Sequence, residues 1–127
     1  LEKRIDVSKL EGAVSIQGTA VTSLVIKGRA YVAPSLEDAQ DIQNGDILIT
    51  YTTDIGWSPY FPIVSGVVTE MGGLNSHGAV IAREFGLPCI VGTIDACLLF
   101  KTGDTVLIDG GSGTITKIEE KTEINSN

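Results

Sequence analysis

One imidazole, two thiols and a run of small residues carry most of the chemistry this chain could perform. His77 is the single histidine. It lies in the run Thr69-Glu70-Met71-Gly72-Gly73-Leu74-Asn75-Ser76-His77-Gly78-Ala79. A glycine pair gives the backbone the freedom to turn tightly and approach a ligand, and small residues follow at what reads as a helix start. The first backbone N–H groups of a helix lack intrahelical partners and point at whatever stands before them. An imidazole there meets the positive end of a helix dipole, which favours an anionic adduct. A neutral imidazole is a competent nucleophile, and a P–N bond made on it stays labile enough to pass a phosphoryl group on.

The remaining candidates are weaker. Cys89 and Cys97 fit neither a redox pair nor a zinc pattern and read as structural thiols in a reducing compartment. One histidine without a cysteine cluster leaves no metal site to expect. Gly110-Gly111-Ser112-Gly113 lacks the Gly-Lys-Ser/Thr ending of a phosphate loop and reads as a hairpin. Ser76 is read as a helix N-cap, as the partner that orients the imidazole, or as both. Ala79 stands where a capping box needs Glu or Gln, so that reinforcement is missing.

The elements that must hold this site follow from pattern. Residues 13–18 and 23–32 alternate and are rich in β-branched side chains, so both read as strands. Ser35 caps a short helix that ends before the turn Asn44-Gly45-Asp46 and the strand 47–50. An aromatic loop over 51–62 is expected to hold one helical turn beginning near Pro59, and a strand running from Val64 and ending at Thr69 and Glu70 leads to the glycine pair. The helix spans 77–85, with Gly78, Ile81, Ala82 and Phe85 as its buried face. Gly86 is its C-cap and Pro88 keeps it from continuing. A strand at 88–91, a short helix at 93–99, a turn at 101–104 and the hairpin 105–109 with 114–118 complete the order. Trp57 and Tyr60 read as core packing in preference to a docking surface.

At 127 residues with 43% apolar and 20% charged residues, the chain has the profile of one globular domain. Residues 1–12 read as a leader or linker, 13–119 as the domain, and 120–127 as a polar tail resembling a natural C-terminus. The net charge of −7 disfavours nucleic acid and anionic membranes as partners. No signal peptide or membrane span is present in the sequence, and a cytoplasmic location is expected.

The run Gly72 to Gly92, GGLNSHGAVIAREFGLPCIVG, resembles the phosphohistidine swivelling domain of the phosphoenolpyruvate-utilising enzymes. Thr53-Asp54-Ile55-Gly56-Trp57-Ser58-Pro59 resembles that family's TDPGWTP segment, with Ile55 in place of the proline. The resemblance is strong from Thr50 to Ile118 and weaker over Gly12 to Val32. It implies a three-layer β/β/α fold in which His77 is the phosphoryl carrier, usually through Nε2. Glu70 matches an acidic position that either bonds the loop or is solvated. Arg83 matches the arginine of an ARE segment, with a structural or interface role. The resemblance further implies that a nucleotide-binding domain phosphorylates the histidine with ATP and Mg²⁺ held there, or that phosphoenolpyruvate serves as donor. The domain then swings to a substrate-binding domain, where pyruvate or another small molecule accepts the group. On that reading the chain is a carrier, not a complete enzyme, and its polar end places it last in its polypeptide, as in rifampicin phosphotransferase. A non-catalytic docking or regulatory module that keeps the fold is the alternative.

Overall fold

The computed structural model describes residues 14–118. The sequence-based leader and tail fall outside the described residues. Within them the strands are β1 (Ser15–Gln17), β2 (Thr19–Ala20), β3 (Val25–Val32), β4 (Ile47–Thr50), β5 (Gly66–Thr69), β6 (Cys89–Val91), β7 (Thr105–Asp109) and β8 (Thr114–Lys117). The helices are α1 (His77–Phe85) and α2 (Ala96–Leu99), with 3-10 turns at Leu36–Ala39 and Ile55–Tyr60. None of the helices in the described residues is long and apolar enough to cross a membrane.

The strands hydrogen-bond in the order β1-β8-β7-β3-β4-β5-β6-β2. β3 belongs to two halves: Val25 to Arg29 pair antiparallel with β7, and Ala30 to Val32 pair parallel with β4. β4, β5 and β6 run parallel, so their C-terminal ends share one edge. The first and last strands of the order, β1 and β2, are separated in the chain by Gly18 alone. The sheet is therefore folded until its two ends meet. Gly18 makes that meeting possible, because a Cβ there would stand 2.4 Å from the Val91 carbonyl oxygen.

This folding produces the two β layers expected from the sequence. Alternate side chains of the parallel strands face opposite cores, as the two-residue period of a strand requires. Ile47, Ile49, Val68 and Ile90 point between the layers and meet Val106, Ile108 and Ile115 from the antiparallel half. Leu48, Val67, Cys89 and Val91 point outward and are covered by Ala79, Ala82, Trp57 and Phe61. The second layer closes on the first at Asp46, which is buried and accepts from Arg29 Nε at 2.9 Å and Nη2 at 2.8 Å. The Gln43 amide also donates to this carboxylate, at 2.8 Å. A charge this deep persists because its lone pairs are filled.

Several expectations need correction. The strand read over 13–18 is β1 alone; β2 is a separate two-residue strand beyond Gly18, too short for periodicity to show. The helical turn assigned near Pro59 begins at Ile55 and contains Pro59, because Asp54 Oδ1 accepts from the Gly56 amide at 2.9 Å and starts it earlier. The helix expected after Ser35 is a single 3-10 turn, and the one expected over 93–99 is confined to Ala96–Leu99. The buried face of α1 is Gly78, Ala79 and Ala82, with Ile81 half-buried and Phe85 exposed. α1 presses its small N-terminal residues on the sheet, and Phe85 lies at the margin against Phe61, ring centroids 6.1 Å apart. Trp57 is buried and meets Tyr60 edge-on, as expected for core packing.

Candidate active site

The C-terminal edge of the parallel strands holds the loop of the single histidine. β5 ends at Thr69, and the Glu70 and Met71 amides bond back to the Thr50 and Tyr51 carbonyls at 3.0 and 2.9 Å. These bonds hold the exit of β5 against the exit of β4. Gly72 then takes a φ of +116°, a conformation that side chains resist, and a Cβ there would stand 3.0 Å from Ser76 Oγ. The Ser76 hydroxyl donates to the Gly73 carbonyl at 2.8 Å and accepts from the Ala79 amide at 3.4 Å. It is the N-cap of α1 and the clasp of the turn. Gly86 ends the helix in the left-handed conformation.

His77 is the first residue of α1 and is half-buried. Its Nδ1 lies 3.0 Å from Thr53 Oγ1. Phe61 stands edge-on to the ring at a centroid distance of 6.1 Å. Thr53 and Phe61 are both buried, so the imidazole is held on one side and open on the other. The orienting partner of the imidazole is thus Thr53, and Ser76 takes the capping half of the role read for it. Thr53 belongs to the TDIGWSP run, where a hydroxyl three residues beyond β4 was the available signal. Gly78 completes the contact, since a Cβ there would stand 2.9 Å from Thr53 Oγ1.

The supporting residues have defined partners. The Arg83 guanidinium donates through Nη2 to the Leu74 carbonyl, which ties the last turns of α1 to the glycine loop. Glu70 accepts from the Cys97 amide at 2.9 Å and so anchors α2 beside that loop. Thr93 contributes a second anchor, its hydroxyl and amide both donating to the Thr69 carbonyl at 2.8 and 3.1 Å. The hydroxyls of Thr50 and Thr69, register partners on β4 and β5, are buried without a hydrogen-bond partner.

Burial pushes the Cys89 thiol up to about 12, opposed weakly by Arg83. Burial, with the charge of Glu70 and its hydrogen bond behind it, raises Cys97 to about 12 as well. Both stay protonated near neutrality, and a protonated thiol is a poor nucleophile. Among the described residues no group of three His, Cys, Asp or Glu is placed to hold a metal ion.

Comparison with known proteins bears on the fold and the family. The family model described as "PEP-utilising enzyme, mobile domain" matches residues 42–113, more than half of the chain. Rifampicin phosphotransferase from Bacillus subtilis is 50% identical over 103 residues, covering 81% of this chain and 12% of that protein. Phosphoenolpyruvate synthase from Aeropyrum pernix is 40% identical over 114 residues, 89% of this chain and 14% of that protein. The chain therefore spans roughly an eighth of the length of these curated relatives. Among solved structures, an Enzyme I protein superposes with a TM-score of 0.55 at 29% identity, over 65% of this chain and 34% of that one. Aconitase X of Thermococcus kodakaraensis superposes at 0.62 with 16% identity, over 84% of this chain and 99% of that one, which is a likeness of fold alone. The glycine loop, the helix it feeds and the folded sheet are thus those of the mobile domain of PEP-utilising phosphotransferases, and the chain belongs to that family.

Proposed function

We propose that this chain is a phosphoryl carrier in which His77 Nε2 takes the group from one site and delivers it to another. The observation that carries the reading is the contact between Thr53 Oγ1 and His77 Nδ1 at 3.0 Å. A nucleophilic Nε2 needs its lone pair free, so Nδ1 must hold the ring proton. Thr53 is positioned to accept that proton in a hydrogen bond, fixing both tautomer and ring direction. In the transfer the Nε2–P bond forms as the donor's P–O bond breaks, and that electron pair leaves on the donor oxygen. Nδ1 keeps its proton. His77 is the first residue of α1, at the helix end that favours negative charge.

Glu70, Arg83, Ser76, Gly72, Gly73 and Gly78 act here through position, not by touching the phosphoryl group. ATP with Mg²⁺, or phosphoenolpyruvate, belongs in this reading to a partner domain, and pyruvate or another small molecule accepts the group at a substrate-binding domain. The contact of a buried hydroxyl with one imidazole nitrogen favours the carrier over a docking module free of phosphotransfer.

The test is direct. Phosphoramidate transfers its phosphoryl group with loss of ammonia and needs no partner protein. Incubation of the chain followed by intact mass should show one acid-labile, alkali-stable adduct, absent from His77→Ala. A modified His77→Ala chain, or no adduct on a folded wild-type chain, would sink the reading.

A further inference from the structure

Two buried hydroxyls beneath the head of α1 lack partners. Thr50 Oγ1 and Thr69 Oγ1 are closed off from solvent and form no hydrogen bond among the described residues. An unpaired buried hydroxyl is costly, so native structures satisfy it with ordered water where protein groups do not reach. The two threonines are register partners on β4 and β5. Strand alternation puts them on the face of Leu48 and Val67, which α1 covers. Glycines flank Thr69 on two sides. The Cβ position of Gly72 is 3.9 Å from its Oγ1, and that of Gly78 is 3.8 Å from its Cγ2. Neither glycine places a side chain there. The Gly78 position is also 2.9 Å from Thr53 Oγ1, so Thr53 and Thr69 border the same small space.

The proton of the Thr53 hydroxyl decides what this space is for. A hydroxyl both donates and accepts, so the 3.0 Å contact with Nδ1 serves either imidazole tautomer. When Nδ1 carries the ring proton, Thr53 Oγ1 accepts it and the threonine's own hydrogen must point elsewhere. When Thr53 donates to Nδ1 instead, Nε2 carries the proton and has no lone pair for phosphorus. Among the described residues, His77 is the one hydrogen-bond partner of Thr53 Oγ1. We infer that Thr50 and Thr69 hold one buried water that takes the Thr53 hydroxyl proton, and that they are thereby positioning residues keeping His77 in the Nδ1–H tautomer. Three neutral hydroxyls offer no charge to hold an ion. A water supplies two donors and two acceptors, enough for all three, and buried waters characteristically bridge such groups. The inference rests on the carrier reading of His77, which requires a free Nε2. Thr50 and Thr69 act through Thr53.

The experiment is nuclear magnetic resonance on the 127-residue chain, beside phosphoramidate labelling. With one histidine in the sequence, the ring-nitrogen chemical shifts report the tautomer of His77 without ambiguity. The wild-type chain should show the Nδ1–H tautomer, and cross-peaks from a long-lived water to the Thr50 and Thr69 methyl groups. Thr50→Val and Thr69→Val keep the side-chain shape and remove one hydroxyl each. Either should move the ring towards the Nε2–H tautomer and slow labelling about fivefold, the equivalent of one hydrogen bond. Thr69→Ser keeps the hydroxyl and should recover both readouts. A threonine that served only the packing would alter the unfolding midpoint and leave the tautomer alone. Wild-type tautomer and labelling in both folded valine variants would overturn the inference. So would a wild-type chain with no water contact at those two methyls, a result that stands even if valine prevents folding. Failure of phosphoramidate to label any form would instead remove the carrier reading, while the tautomer and the water contacts still judge the two hydroxyls.

Discussion

Gly78→Ala separates the site's chemistry from its stability. A Cβ at residue 78 would stand 2.9 Å from Thr53 Oγ1 and 3.8 Å from Thr69 Cγ2, where ordinary contact begins at 3.4 Å. The threonine hydroxyl must retreat by about 0.5 Å or rotate, and either movement disturbs a hydrogen bond now 3.0 Å long. A hydrogen bond of this kind contributes about 1 kcal/mol net. Its loss corresponds to a fall of roughly fivefold in the population of correctly held imidazole, and in the labelling rate. The fold should hardly notice. Alanine in place of glycine gains up to about 1 kcal/mol of helix propensity, which offsets the strain. We expect an unfolding free energy from urea titration within about 1 kcal/mol of wild type and a phosphoramidate labelling rate about fivefold lower. Thr53→Ala should give a similar loss by itself, and Gly78→Ala added to Thr53→Ala should cost nothing more, because the clash is gone. A wild-type rate in Gly78→Ala, or losses that multiply in the double variant, would refute the assignment of Thr53 as the positioning residue.

Two further predictions concern stability. Asp46→Ala should destabilise the chain by about 2–3 kcal/mol, since it strips the buried partner from Arg29 and the acceptor from the Gln43 amide; denaturant titration checks it, and a loss below about 0.5 kcal/mol would contradict the packing described. Cys89 titrates near 12 when folded and near 9 in its ordinary state. Its stabilising share is therefore complete below pH 9 and is lost as the pH rises towards 12, at up to about 1.4 kcal/mol per pH unit. Urea midpoints should fall over that window, and less so in Cys89→Ala measured against its own pH 8 value. Thiol reagents at pH 8 should modify the native chain far more slowly than the denatured one.

Local physics explains what the sequence could disclose. Caps and turns act over a few residues, so the Gly72-Gly73 turn, the helix starting at His77, the Ser76 cap and the Gly86 terminus are all legible in order along the chain. The hairpin over Gly110 to Gly113 and the burial of Cys89 and Trp57 are legible for the same reason, short-range patterning. Family resemblance added the layered fold, which periodicity alone does not specify. The buried face of α1 was misjudged at Phe85 because helical periodicity fixes which residues share a face, not how the helix tilts on its sheet.

The sequence by itself determined that one imidazole is delivered by a glycine turn to the head of a helix. Tertiary structure decided how that imidazole is held. Thr53 and His77 are 24 residues apart and meet only because β4 and β5 lie parallel in a register that brings Thr50 beside Thr69. Glu70 reaches the Cys97 amide across 27 residues for a related reason, the placement of β6 beside β5. The sheet's closure at Gly18 likewise depends on the distant Val91 carbonyl, which no local pattern announces. Hydrogen bonds between remote segments become visible only when the sheet's pairing order is known, and that order is a property of the whole core.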